Sequence, residues 1–352
     1  MHCKNIFLLV IFFALAVAGC KKSETKPTPP LITPTPPHTG PDVYVAGYVI
    51  ALNGHPVAAY WKNGVITKLA DSTLVSEASS IIVVGSDIYV AGISSASNQA
   101  NTTVTYWKNG VATRMPVIAD LGISQSAFAI NGSDLYMAGD LVVSNRNTAN
   151  YWKNNVSTIL PDNSQGSYAY GICTNGSDLY VTGYINGNSN FPTAAYWKNG
   201  VLSKLDDGSK YQTMAYAIKP FGTDIYVAGY REQITNVGQL VHATYWKNGV
   251  ANVLMDPSVG SFGYDVAVSN NDVYVAGYGN NGTLSPGYWK NGVYTSLDIT
   301  NAGSYSGPMT ASIAVDNNDV YIVAGYPTYW KNSVPVQLAK IGGAMGIYVV
   351  PN

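Results

Sequence analysis

The sequence predicts an all-β fold made of seven copies of one four-stranded antiparallel sheet, closed into a ring. Three observations predict it. The string Tyr-Trp-Lys-Asn occurs seven times, with Trp at 61, 107, 152, 197, 246, 289 and 330, and these are all seven Trp among 352 residues. The spacings of 46, 45, 45, 49, 43 and 41 residues suit four short strands per repeat. Charged residues make up only 11% of the chain, against 35 Gly and 27 Tyr, a composition of short strands and tight turns. Together these specify a seven-bladed β-propeller.

Each repeat contains four strand-like elements, A to D in chain order. Element B reads DVYVAGY at 42–48, SDIYVAG at 86–92, SDLYMAG at 133–139, SDLYVTG at 177–183, TDIYVAG at 223–229 and NDVYVAG at 271–277. It is apolar on both faces, which places it between covered layers. The seventh copy, NDVYIVAG at 318–325, carries one extra residue and predicts a β-bulge at Ile322 or Val323. Element A precedes B, as in SSIIVV at 79–84 or YDVAV at 264–268. Element C contains the Trp. Element D follows it, as in VITKL at 65–69.

The turns agree. C and D are joined by Asn-Gly in five copies, beginning with Asn63-Gly64, and by Asn154-Asn155 and Asn332-Ser333 in the other two. Asn and Gly tolerate the positive φ that a two-residue hairpin turn demands. A and B are joined by Gly-Ser-Asp, Gly-Thr-Asp or Asn-Asn-Asp, again turn chemistry. The repeated Asp at the start of B (42, 87, 134, 178, 224, 272, 319) is expected across the sheet from the repeated Lys at the end of C (62, 108, 153, 198, 247, 290, 331). Cross-strand opposite charges contribute roughly 0.2–1 kcal/mol.

The ends predict how the ring closes. The first repeat opens directly with B at Asp42, while the chain ends on Ala344–Val350, an A-like segment with nothing but Pro351 and Asn352 after it. This last strand should pair in the first blade and remove the free edges.

Before the propeller, assigned to 41–352, come two further segments. Residues 1–19 read as a secretory leader: a basic start, an apolar run from Ile6 to Ala18, then small residues. The run is shorter than the ~20 residues of a membrane span. Val17-Ala18-Gly19-Cys20 resembles the bacterial lipobox. The resemblance implies cleavage after Gly19 and lipidation of Cys20, with palmitate-type acylation of the new terminus. Residues 20–40, with six Pro, form an extended tether of ~3 Å per residue. Lys21 directly follows Cys20, which by the enterobacterial sorting rule implies the outer membrane. The expected localisation is therefore the bacterial cell envelope, lipid-anchored.

The repeat SAFAINGSDLYMAG with NYWKNNVSTIL, within 126–160, resembles the bacterial extracellular repeats called HAF, and LYVTGYINGNSNFPTA at 179–194 is similar to the bacterial propeller repeats called SBBP. The resemblance implies a propeller across 42–350 and little about activity, because fold does not fix function.

Candidate chemistry is sparse. Cys173 is the single Cys of the folded part, so no internal disulfide forms and a buried thiol is expected. His55 and His242 are expected in solvent-facing loops, without metal-ligand spacing. Glu occurs only at 24, 77 and 232, and no carboxylate pair suited to glycoside hydrolysis stands out. Phosphate-loop, nucleophile-elbow and dinucleotide motifs are absent. The net charge of −1 argues against nucleic acid as a partner. No cofactor or metal is expected.

The best functional clue is a difference between the two ends of the ring. The A–B and C–D turns share one nearly invariant end, and the B–C and D–A connections share a variable one, where recognition belongs. Asp71, Asp162, Asp207, Asp256 and Asp298 follow strand D on the variable end, with Arg231 and His242 in the long blade-five segment. These are the candidate ligand-binding residues, although Asp also suits loop turns. The leading expectation is a monomeric, non-enzymatic binding or interaction module with a glycan or protein ligand. An envelope enzyme acting on glycans at the channel mouth and a structural scaffold are the alternatives.

Overall fold

The structure is a computed structural model that describes residues 40–70, 73–96, 103–115, 128–162, 165–186, 191–235, 238–254, 260–280, 284–305 and 309–352. The lipidation site Cys20 and the candidates Asp71 and Asp256 lie outside the described residues.

Seven antiparallel sheets follow one another around a ring. Blade 1 contains β1 (Asp42–Ile50), β2 (Pro56–Lys62) and β3 (Val65–Lys68). Blade 2 contains β4 (Leu74–Val84), β5 (Asp87–Ala96), β6 (Thr103–Lys108) and β7 (Val111–Arg114). Blade 3 contains β8 (Phe128–Asn131), β9 (Asp134–Val143), β10 (Arg146–Lys153) and β11 (Val156–Ile159). Blade 4 contains β12 (Ser167–Asn175), β13 (Asp178–Asn186), β14 (Pro192–Lys198) and β15 (Val201–Lys204). Blade 5 contains β16 (Gln212–Phe221), β17 (Asp224–Thr235), β18 (Gly238–Lys247) and β19 (Val250–Val253). Blade 6 contains β20 (Phe262–Ser269), β21 (Asp272–Asn280), β22 (Leu284–Lys290) and β23 (Val293–Ser296). A two-residue strand, β24 (Ser304–Tyr305), precedes blade 7, which contains β25 (Ser312–Asp316), β26 (Asp319–Val323), β27 (Thr328–Lys331) and β28 (Val334–Gln337).

The last strand, β29 (Ile341–Val350), closes the ring. It pairs antiparallel with β1, from Asp42 opposite Val350 to Val49 opposite Gly342. The strand is three residues longer than the sequence suggests, and β24 adds a short parallel fifth strand to its far side through Ser304 and Tyr305.

Each Trp explains itself by packing on the preceding blade. Trp61 lies against Tyr321 and Val323 of blade 7, Trp107 against Tyr44 and Leu69 of blade 1, and Trp197 against Tyr136 and Leu160 of blade 3. Trp246 meets Tyr180 and Leu205, Trp289 meets Tyr226 and Leu254, and Trp330 meets Tyr274 and Leu297. All seven Trp are at most 5% exposed. Burying one such ring contributes on the order of 4 kcal/mol, so the seven inter-blade layers are the core.

Two local expectations need correction. The extra residue of the seventh B element makes no bulge, because β26 pairs with β25 without a register shift. That strand simply ends at Val323, and Ala324 and Gly325 lie beyond it. The bulges sit instead on inner strands. Ser79, Tyr170, Tyr216 and Tyr264 are the unpaired extra residues of β4, β12, β16 and β20, and Met345 is that of β29. Second, the B–C connections of blades 3 and 5, including the blade-five segment in which His242 is expected as a loop residue, are hairpin extensions. β9 and β10 run to a turn at Ser144-Asn145 with φ of 51° and 62°, and β17 and β18 stay paired out to Thr235 and Gly238.

Candidate functional site

The invariant end of the ring carries one network seven times. In blade 1, Lys62 Nζ lies 2.7 Å from Asp42 Oδ2, Asn63 Nδ2 donates to Asp42 Oδ1 at 2.6 Å, and the Val43 N–H donates to Asn63 Oδ1 at 2.8 Å. The same Asp–Lys contact recurs at 87/108, 134/153, 178/198, 224/247, 272/290 and 319/331. The residue directly opposite Lys62 is Tyr44, whose ring the ammonium overlies at 5.3 Å, and Asp42 is the diagonal neighbour. Hydrogen bonds from Lys and then Asn hold the carboxyls of Asp87, Asp134, Asp178, Asp224, Asp272 and Asp319 below the usual range. With each Lys half exposed, solvent screens the pair and its contribution to stability is small. The network explains the invariant Asn: its backbone takes φ near +50° while its side chain ties the turn to strand B.

The candidate residues of the variable end are spread around the ring. Asp207 Oδ1 accepts from the Ser209 N–H and hydroxyl, and Asp298 Oδ1 accepts from the Thr300 N–H. Both hold their own linker turns, and hydrogen bonds from Ser209 to Asp207, and from the Thr300 side chain and N–H to Asp298, keep both carboxyls low. Asp162 lies in the linker after β11. The structure does bring Arg231 and His242 together, opposite each other on β17 and β18. His242 is thus a half-buried strand residue, not a solvent-facing loop residue. Arg231 Nη2 donates to Asp206 Oδ2 at 2.9 Å, and its guanidinium lies 4.1 Å from the Tyr211 ring centroid. This group pins the linker between blades 4 and 5. Burial pushes the Cys173 thiol up to about 12, which keeps it protonated and unreactive.

A different feature breaks the seven-fold pattern. The bulge residues Tyr170, Tyr216 and Tyr264 of three successive inner strands touch in series, with ring centroids 5.2 Å apart at each step. Tyr184 and Tyr168 stack at 4.5 Å beside Tyr170. Tyr230, Phe262 and Tyr278 extend the strip across blades 5 and 6, at 5.4 Å between Tyr230 and Phe262 and 6.1 Å between Tyr264 and Tyr278. Tyr170, Tyr216 and Tyr264 each retain partial exposure. Burial raises the phenols of Tyr170 (to about 12), Tyr184 and Tyr216, so they stay neutral and can donate. In blade 2 the corresponding bulge residue is Ser79, and in blade 1 it is Met345. The strip lies toward the variable end, opposite the end at which β1 starts.

Among the described residues, no Lys, Arg or His pairs with two carboxyls of this region, Asp140 and Glu77. Asp140 on β9 is 4% exposed, and its Oδ1 accepts the Ala169 N–H at 2.7 Å, one residue before Tyr170. Desolvation pushes it up to about 7, against the pull of that bond. Glu77 on β4 is likewise raised by burial. Asp265, raised by desolvation, instead joins two blades: its Oδ2 accepts from Ser312 Oγ and the Ile313 N–H of β25. Among the described residues no group of three or more His, Cys, Asp or Glu side chains is placed to hold a metal.

The aromatic strip and Asp140 were missed by sequence reading, yet a signal exists. Aligned on the bulge, YAYG at 168–171, MAYA at 214–217 and FGYD at 262–265 put Tyr in one column, and Asp140 stands after Gly139 where Tyr184, Tyr230 and Tyr278 follow their Gly.

No family model matches the chain, and no curated protein does. Solved structures are similar in fold. A puromycin-hydrolyzing peptidase of Mycobacterium tuberculosis aligns over 86% of this chain at 12% identity with TM-score 0.53. The chain spans about half of that protein, 53%. A chain of a nidogen/laminin complex (88% of this chain, 98% of that one, 11% identity, TM-score 0.43) and the β-propeller domain of the Trilobed protease from Pyrococcus furiosus (72% and 81%, 11% identity, TM-score 0.42) are more distant in shape. At such identities the likeness concerns the fold alone.

Proposed function

We propose that this protein is a non-enzymatic binding module of the bacterial cell envelope, anchored through a lipid on Cys20, and that it holds a glycan on its aromatic strip. The observation that carries the reading is the break in symmetry. The Asp–Lys–Asn network and the buried Trp recur in all seven blades, whereas inner-strand bulge tyrosines that touch in series occur, among the described residues, on blades 4 to 6. Side chains needed for architecture alone follow the repeat, so a feature confined to three blades calls for another reason. Tyr offers an apolar face for the C–H face of a sugar ring and a hydroxyl for its polar edge. Sites of this type combine aromatic walls with a few placed polar groups.

The test is a glycan array followed by calorimetry on the hits, with the parent protein and the Tyr170→Ala and Tyr216→Ala variants. Binding should weaken at least tenfold in either variant while the melting transition persists. An array without hits, or hits indifferent to both substitutions, would remove the reading. The anchor is tested separately. Mass spectrometry of the native protein should find Cys20 acylated at the new N-terminus, and Cys20→Ala should release the protein from membranes.

A further inference from the structure

The aromatic strip is interrupted at one position. Met214 stands on β16 two residues before the bulge, opposite Tyr230 of β17, where blade 4 places Tyr168 opposite Tyr184 and blade 6 places Phe262 opposite Tyr278. Two phenols point at its sulfur. The Tyr230 hydroxyl donates to Met214 Sδ at 3.0 Å, and the Tyr216 hydroxyl donates to the same atom at 3.7 Å. A thioether is only a weak acceptor. Elsewhere in the strip the Tyr278 hydroxyl donates to the Ala324 carbonyl at 2.8 Å, a stronger partner. Burial raises the phenols of Tyr216 and Tyr230, so both keep the protons they offer.

Solvent also reaches Met214. Met115, Met137 and Met345 are 2%, 1% and 6% exposed, and Met309 is 43% exposed. Met214 is partly exposed. Among the described methionines, Met214 and Met309 are therefore the two that a dissolved oxidant can meet. A peroxide converts a thioether to a sulfoxide. The sulfur lone pair takes one peroxide oxygen, an S–O bond forms as the O–O bond breaks, and the sulfur gives up two electrons. The second oxygen leaves with both protons as water. A sulfoxide oxygen is a polar acceptor that disrupts an apolar core. At Met214 it would meet two hydroxyls that already converge on the sulfur, and hydrogen bonds to it would offset the cost of burying it.

We infer that Met214 is an oxidation site, converted by peroxides to a sulfoxide that the Tyr216 and Tyr230 hydroxyls hold. The modification engages two phenols of the strip and places a polar group among its rings. A methionine sulfoxide reductase reverses such a change. The chemistry at Met214 is independent of the glycan reading; its effect on affinity rests on that reading.

The test treats the full chain with hydrogen peroxide and follows each methionine by peptide mass spectrometry. Met214 should oxidise together with Met309, and at least tenfold faster than Met115, Met137 and Met345. Oxidation should alter the tyrosine near-UV circular dichroism of the parent but not of Met214→Leu, and should leave the parent's melting temperature unchanged. In the double variant Tyr216→Phe, Tyr230→Phe the same oxidation should lower the melting temperature by several degrees, because the new oxygen has no donor. Met214 reacting as slowly as the buried methionines, or oxidation destabilising the parent as much as the double variant, overturns the inference. A glycan found on the array should bind the oxidised parent several-fold more weakly, and Met214→Leu should lose nothing under the same treatment. Equal binding before and after oxidation overturns the control of affinity. An empty array removes the glycan reading, and the mapping and melting results still decide whether Met214 is the site.

Discussion

Asp140 replaces, on a single blade, an aromatic residue that blades 4 to 6 keep, and the substitution has a measurable cost. Its carboxyl titrates at about 7 in the folded chain, above the ~3.9 of an unfolded aspartate. Between those values the folded state keeps a proton that the unfolded state has released. Stability must therefore fall as pH rises through that window, and the loss is complete above the folded value. Its size is on the order of a few kcal/mol. Asp140→Asn should accordingly melt above the parent at pH 8, and the difference should vanish near pH 4. A variant that melts below the parent at pH 8 would mean that the charge itself stabilises the fold. Residues of this kind were the least legible in the sequence. The repeat Asp and Lys announce themselves by recurring, whereas Asp140 and Tyr170 are informative only where they depart from their column. The departure shows once the bulge fixes that column, and the bulge is a backbone feature that hydrophobic pattern does not signal.

At the scale of elements the turns were the most legible part, because the φ they require excludes most residues. Asn63 with Gly64, and the four other Asn-Gly pairs, take positive φ at both positions. In blade 7 the second position is Ser333 at φ 66°, a left-handed conformation that costs a non-Gly residue roughly 1–2 kcal/mol. A Cβ at the equivalent Gly64 or Gly110 would meet nothing within 4 Å, so sterics with neighbours are not at issue. Ser333→Gly should then stabilise the protein by about 1 kcal/mol, read as a raised denaturation midpoint with an unchanged slope. Asn155→Gly in blade 3 should give less, because Asn tolerates this region better than Ser. The lengths of the hairpins were harder to read. Arg231, Glu232 and His242 are polar and resemble loop, yet β17 and β18 hold them in paired strands. A hairpin that projects past the core has no buried face to impose alternation, so the sequence pattern there carries no strand signal.

For the whole molecule the decisive contact is the one between its two ends. β29 and β1 pair along most of their lengths, and Ala344 and Ile347 join Val43, Val45 and Trp61 in the layer shared with blade 7. The ends could be matched from sequence because one repeat lacked an A element and one A element lacked a repeat. The parallel addition of β24 could not, since Ser304 and Tyr305 carry no strand pattern. Removing residues 341–352 would strip the inner edge of β1, where each buried backbone group left unpaired costs ~1–3 kcal/mol. Several such groups together reach the entire 5–15 kcal/mol that holds a typical domain folded. The truncated chain should therefore show no cooperative melting transition. A rearranged chain separates closure from mere chain length. Because Val350 lies opposite Asp42, the segment 341–350 can be moved ahead of Asp42 and joined to it by Gly-Ser, the turn that links Val84 to Asp87 in blade 2. That chain has every blade drawn from continuous sequence, and it should regain cooperative melting. It should nevertheless unfold faster than the parent, because blades 1 and 7 then keep only side-chain packing and the backbone bonds of Ala344 with Gly325 and Tyr326, and no longer share a strand delivered from one into the other. Equal unfolding rates for parent and rearranged chain would show that the strand exchange adds no kinetic protection, and a truncated chain that melts normally would show that the ring does not need its clasp.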